Sequence, residues 1–175
     1  MSSQSDSVPT SPSSLSNLCG IQQMTIDYIV ASLPPLAFDT PAPITLAAFE
    51  DLAGDNIKTG LAAWADIETQ LRNALVEGRG GSERFKRPAE GCSVYWKGRV
   101  LECFAEKDVA KRDELLDRVW WDAAGELTKA TDPLGAGALA TYAVRLRIAA
   151  KRTEISKDAG NAAFDRLTAT TKEAI

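Results

Sequence analysis

The chain has 175 residues, 45% hydrophobic and 25% charged, with a net charge of −4 and a pI near 5.0. An acidic chain argues against nucleic-acid binding, which goes with a basic face and a pI above about 9, and no apolar run approaches the roughly 18 residues of a membrane span. The sequence contains no histidine, which excludes Ser-His-Asp and Cys-His hydrolases and removes the commonest general base and metal ligand.

The first sixteen residues hold eight serines and two prolines and almost nothing apolar. Such a segment cannot offset its ordering entropy, so residues 1–23 are expected to be a disordered, dispensable Ser/Pro-rich extension, with residues 24–175 a single helical domain. Met24 is an alternative start site on this reading. No basic segment followed by an apolar one marks a secretory signal, and a cytoplasmic location is expected. Cys19, Cys92 and Cys103 show no C-x-x-C spacing and are odd in number; they read as reduced thiols, Cys103 in the core and Cys92 exposed. No metal and no cofactor is expected.

Ile26 to Leu33 is short, apolar and partly β-branched, and periodicity alone does not separate a strand from a short helix there. Pro34 and Pro35 end it. Thr40 to Pro43 reads as extended, and Thr45 as the N-cap of a short helix through Leu52 that Gly54 closes. A long helix follows from Asp55 to Glu77, ended by Gly78, Gly80 and Gly81. Gly78 to Gly91 is polar and basic; without a G-K-[ST] it reads as a connector, not a phosphate loop. A helix from Ser93 to Glu106 has Trp96, Val100, Leu101 and Phe104 to pack. Asp108 caps the next, to about Ala130, with an apolar stripe of Leu116, Val119, Trp120, Ala123 and Leu127. Asp132 as N-cap and Pro133 at the first helical position start the last helix, through Leu139, Tyr142, Leu146 and Ala149. If unbroken past Gly160-Asn161, through Phe164 and Leu167 to Lys172, it reaches about 60 Å. The fold class is therefore all-α: an elongated bundle of about five helices with a long C-terminal helix.

Glu68 falls on the apolar stripe Ile57, Leu61, Trp64, Leu71 and Leu75, a position where a carboxylate needs a partner, and Arg72 is four residues on. Asn73 adjoins them. Arg118 and Asp122 are an i,i+4 pair with Trp121 between, and Tyr142 and Arg145 lie beside the last stripe. These eight residues are the candidate site. Read sharply, they form one buried network that fixes helix register or presents a docking site; read plainly, they are separate surface pairs, each contributing a few tenths of a kcal/mol. An enzyme using carboxylates alone would need Glu68 and Asp122 to face one pocket, and no catalytic residue is assigned. Arg145, Arg147, Lys151 and Arg152 make the last helix locally basic, which reads as a solvated face ahead of a phospholipid or nucleic-acid site.

Three blocks in order carry a resemblance: Tyr28 to Pro35, ending A-S-L-P-P; W-x-x-x-E-x-x-L-R-N-A-L from Trp64 to Leu75; and L-L-D-R-x-x-W-D from Leu115 to Asp122. From about Asp27 onward the chain resembles a bacterial family of helical proteins whose genes lie among those of V-type (archaeal-type) ATPase subunits. The L-R-N-A-L block is also similar to the acidic-x-x-L-R helices of the funnel-shaped central-stalk protein that seats the ATPase rotor on its membrane ring. The chain is well short of a full protein of that stalk type, and Gly135 to Ala140 is looser than the family pattern. The resemblance implies a non-catalytic subunit or assembly factor, a stalk or connector component. Its partners would be V-type ATPase subunits, with peripheral association at the inner face of the membrane through the complex. The alternative is a generic cytosolic helical adaptor.

Overall fold

The helix Ala136–Glu154 organises the molecule because its sequence lets it be surrounded. Leu139, Ala140, Thr141, Ala143, Val144, Leu146, Ile148 and Ala149 are all buried, a wider arc than the single stripe of a surface helix. In the computed structural model, which describes residues 25–89, 91 and 93–154, six α-helices are present: α1 (Ile26–Ser32), α2 (Leu46–Ala53), α3 (Ile57–Gly78), α4 (Val94–Cys103), α5 (Val109–Ala124) and α6 (Ala136–Glu154). No strand occurs among the described residues, only an isolated bridge between Lys129 and Asp132. The fold is all-α, as the periodicity predicts. The segments carrying Gly160-Asn161, Phe164 and Leu167, and the N-terminal extension, lie outside the described residues.

α6 packs against α1, α2, α3 and α5, and α4 closes the far side against α3 and α5. Two apolar clusters result. One joins Ile29, Phe49, Ala53 and Ile57 to Leu139, Ala143 and Leu146. The other joins the second half of α3 to α4, α5 and the later turns of α6, with Phe38 from the α1–α2 linker. Leu139 and Leu146 are fully buried, each contributing roughly 1.5–3 kcal/mol by removal from water.

The ambiguous segment Ile26–Ser32 is a helix, and Leu33, extended ahead of Pro34, ends it. Thr45 and Ser93 cap α2 and α4 through their hydroxyls, accepting from Ala48 N at 3.2 Å and Trp96 N at 3.3 Å. Asp108 caps α5 more fully, its Oδ1 accepting from Ala110 N at 2.9 Å and Lys111 N at 3.3 Å.

Four expectations are corrected. α4 stops at Cys103, not Glu106, because Phe104, Ala105 and Glu106 donate to carbonyls three residues back and tighten the last turn. α5 stops at Ala124, not Ala130: a 3₁₀ turn, Gly125–Leu127, tucks Leu127 into the core. α6 begins at Ala136, and Asp132 with Pro133 instead belongs to the reversal before it, where Asp132 N donates to Lys129 O at 3.0 Å. Trp121, not Trp120, is the buried tryptophan of α5, because Phe38 supplies a neighbour that the stripe of a lone helix does not reveal.

Cys103 is buried, as expected, and its Sγ donates to Arg99 O at 3.2 Å. Burial pushes the thiol above its ordinary range, so little thiolate forms near neutral pH. Native protein should therefore be alkylated by iodoacetamide at Cys103 at least about tenfold more slowly than urea-unfolded protein. Peptide mass spectrometry over time checks this; equal rates would mean the α4–α5 core opens readily.

Candidate functional site: a three-helix groove and its charged surroundings

The α3 stripe that carries Glu68 turns toward a groove bounded by α3, α5 and α6, about 330 Å³ in volume. Trp64, Leu116, Val144 and Ile148 are buried in its floor, and Leu75 and Trp120 are half-buried beside them. Arg72, Arg79, Arg147 and Lys151 stand around it with Glu68, Asp113 and Asp117. Glu68 Oε1 accepts from Arg72 Nη2 at 2.6 Å and Nε at 3.0 Å, the glutamate half-buried and the arginine exposed. Such a pair contributes well under about 1 kcal/mol to stability; its larger effect is to hold the Arg72 guanidinium over the rim. Across the groove Lys151 Nζ lies 2.8 Å from Asp117 Oδ1 and 3.4 Å from Asp113 Oδ2. Burial is the largest single influence and opposes its charge, but the hydrogen bonds and charges of Asp117 and Asp113 together outweigh it and raise the lysine above its ordinary range. The bridge ties α5 to α6 at the groove edge.

The eight predicted site residues do not form one network. Glu68 and Arg72 belong to the groove. Asn73, on the adjoining arc of α3, instead clamps the connector: its Nδ2 donates to Arg87 O and its Oδ1 accepts from Arg87 N, both at 2.8 Å. Arg118 and Asp122 are engaged by other partners. Arg118 reaches Asp39 at 3.3 Å and lies over the Phe38 ring at 4.0 Å. Asp122 lies 3.4 Å from Arg99 of α4. Trp121 meets Phe38 edge-on at 5.5 Å, its carbonyl accepts from Arg145 Nε at 3.1 Å, and the guanidinium carbon of Arg145 is 5.1 Å from its ring centroid. Arg118, Trp121 and Arg145 thus gather around Phe38 and Trp121, a centre distinct from the groove. Tyr142 stacks on Phe49 at 5.4 Å.

Of the residues that fasten the α3–α4 connector, sequence reading singled out Asn73 but missed Gln70 and Glu77. Gln70, Asn73 and Glu77 follow one another by three and four residues and share one helical face. Gln70 Oε1 accepts from Ser93 N at 2.9 Å, Asn73 holds Arg87, and Glu77 takes Lys86 at 3.0 Å and Lys97 at 2.8 Å. The hydrogen bond from Lys97, then that from Lys86, holds the Glu77 carboxyl below its usual range. The polar i, i+3, i+7 spacing was available in the sequence; the partner, a segment without periodicity, was not.

Three of the four cations in the basic stretch of α6 are in ion pairs, and the fourth, Arg145, donates to the Trp121 carbonyl, so the stretch is not an open basic face. Arg147 lies 3.7 Å from Glu50, Lys151 bridges to α5, and Arg152 lies 3.8 Å from Glu114. No helix among the described residues is long and apolar enough to cross a membrane. No family model, curated protein or solved structure matches the chain.

Proposed function

We propose that the chain is a non-catalytic component of a V-type ATPase, a stalk or connector protein or an assembly factor, and that it receives a partner helix in the α3–α5–α6 groove. The observation that carries this reading is the groove itself: an apolar floor with two tryptophans, ringed by charges that include the Glu68–Arg72 and Lys151–Asp117 ion pairs. A buried aromatic floor within a polar rim is the pattern of an interface hot spot, and a groove along packed helices suits an amphipathic helix read at i, i+3, i+4 and i+7. The rim has four cations against three carboxylates, so the partner helix should flank its apolar stripe with acidic side chains. The resemblance of the blocks Tyr28 to Pro35, Trp64 to Leu75 and Leu115 to Asp122 supplies the identity of the complex. The second and third of these blocks both line the groove. Association with the membrane would be peripheral, through the complex.

Affinity purification of tagged protein from gently solubilised host membranes tests this. ATPase catalytic and stalk subunits should co-elute at near-stoichiometric levels. Trp120→Ala should reduce their recovery at least about tenfold, since truncating a central aromatic costs about 2 kcal/mol or more. Its far-ultraviolet circular dichroism should stay unchanged, because Trp120 is only half-buried. Trp120-dependent recovery of other proteins in place of ATPase subunits would move the reading to a generic adaptor. Recovery of ATPase subunits unaffected by the substitution would remove the groove from the interface.

A further inference from the structure

The α3–α5–α6 groove does not close at the end of α3. Arg79, Asp113 and Leu116, which line the groove, also line a second cavity of about 340 Å³ that continues it. Phe104, just after α4, supplies the aromatic wall of that cavity. Gly78 makes room for the ring, because a Cβ at that position would run into it. Trp64, Glu68, Arg72, Leu75 and Arg79 recur every three or four residues, so one face of α3 runs the length of the groove. That face is roughly 22 Å long, about four helical turns.

Charge is distributed unevenly along it. Five cations line the joined cavities: Arg72, Arg79, Arg112, Arg147 and Lys151. Arg72 pairs with Glu68 at 2.6 Å, Arg147 with Glu50 at 3.7 Å, and Lys151 with Asp117 at 2.8 Å and Asp113 at 3.4 Å. All three carboxylates of the lining are taken up in these pairs. Arg79 and Arg112 have no ion-pair partner among the described residues, and Arg79 is exposed and Arg112 half-buried. Arg112 sets its guanidinium over the Phe104 ring, 5.6 Å from the centroid. Stacking uses the face of the guanidinium and leaves its N–H edge to donate to a carboxylate. The unmatched positive charge therefore lies at the Phe104 end, while Trp64, Trp120 and Val144 make the opposite end apolar.

An occupant has to meet both ends. A small anion would use the arginines and leave the tryptophan floor uncovered. A helix of about four turns reaches from the floor to the arginines.

We propose that the groove takes an amphipathic helix in one fixed polarity. Its apolar stripe lies on Trp64 and Trp120, and an acidic last turn lies by Phe104, where Arg79 and Arg112 donate to its carboxylates. The proposal rests on the reading of the groove as a helix-docking site, and not on the identity of the complex.

Fluorescence anisotropy of the full chain with labelled synthetic helices of about sixteen residues tests it. The peptides share leucines at i, i+3, i+4 and i+7 and an amidated C-terminus, and end in Glu-Glu, Gln-Gln or Lys-Lys. A fourth carries its two glutamates at mid-length and ends in Gln-Gln. The Glu-Glu ending should bind at least about fivefold tighter than Gln-Gln and at least about tenfold tighter than Lys-Lys. The mid-length glutamates should give less of this gain. Joint replacement Arg79→Gln and Arg112→Gln should bring the Glu-Glu peptide down to the affinity of the Gln-Gln peptide, whose own binding stays unchanged. Trp120→Ala should weaken all four. Trp120-dependent binding with no preference for the Glu-Glu ending, or a preference that survives the double replacement, would leave the groove a docking site and overturn its polarity. No Trp120-dependent binding by any peptide would overturn both.

Discussion

Replacing Phe38 with alanine is expected to lower the unfolding free energy by about 3–5 kcal/mol, the range for removing a buried phenylalanine. Phe38 belongs to no helix, yet it is 6% exposed and sits at the centre of the second apolar cluster. The guanidinium carbons of Arg118 and Arg152 lie 4.0 and 4.1 Å from its ring centroid, and Trp121 meets it edge-on. One side chain of the linker therefore joins α5 to α6. The arginines are held in place partly by Asp39, at 3.3 and 4.0 Å, but that carboxylate is 70% exposed, so the ion pairs contribute little beside the stacking. Phe38→Leu keeps most of the apolar volume and loses the ring contacts. It should cost roughly 1–3 kcal/mol, the sum expected of an edge-on aromatic pair and two partly desolvated cation–π contacts. Urea denaturation of the two variants separates packing from stacking. A cost below about 1 kcal/mol for Phe38→Ala would mean that the linker does not anchor α5 to α6.

Residue spacing predicted what depends on one helix at a time. The stripe of α3, the caps Thr45 and Asp108, the stop at Pro34 and the pairing of Glu68 with Arg72 all follow from neighbours within about four residues, and all are present. What spacing could not supply is the identity of the facing element. Trp120 and Trp121 are adjacent on the same helix, and the choice between them depends on Phe38, about eighty residues earlier in the chain. Arg118 and Asp122 satisfy the i,i+4 rule, yet Asp39 and Arg99 engage them instead. The same limit explains the ends of α5 and α6. Asp132-Pro133 is a sound helix start by local chemistry, but the chain must first reverse and seat Leu127 in the core. Glu68 was informative for a related reason: a carboxylate on an apolar stripe marks where that stripe meets a groove instead of a closed core.

Glycines 60 and 98 should respond to alanine with opposite signs. Both sit inside helices, where Gly→Ala ordinarily stabilises by about 0.8–1 kcal/mol through backbone entropy. At Gly98 of α4 an added Cβ would meet nothing within 4 Å among the described residues, so that gain should appear nearly in full. At Gly60 of α3 the same carbon would run into the Ala136 carbonyl oxygen and lie 2.6 Å from Ala140 Cβ. Those atoms are the backbone and the stub of α6, and no rotamer change moves them aside. α3 and α6 must separate, and overpacking of this kind costs about 1–3 kcal/mol, which outweighs the helix-propensity gain. Gly60→Ala is therefore expected to destabilise where Gly98→Ala stabilises, and Gly60→Val to cost roughly 3 kcal/mol, the top of that range. Thermal melts of the three variants decide the matter, and a stabilising Gly60→Ala would mean that the α3–α6 crossing yields readily. The consequence reaches the groove, because α3 and α6 form two of its three walls. Its width is set where Gly60 lets the two helices touch, so a Gly60 variant that still folds should also lose partner recovery even though Trp64, Glu68 and Trp120 are intact.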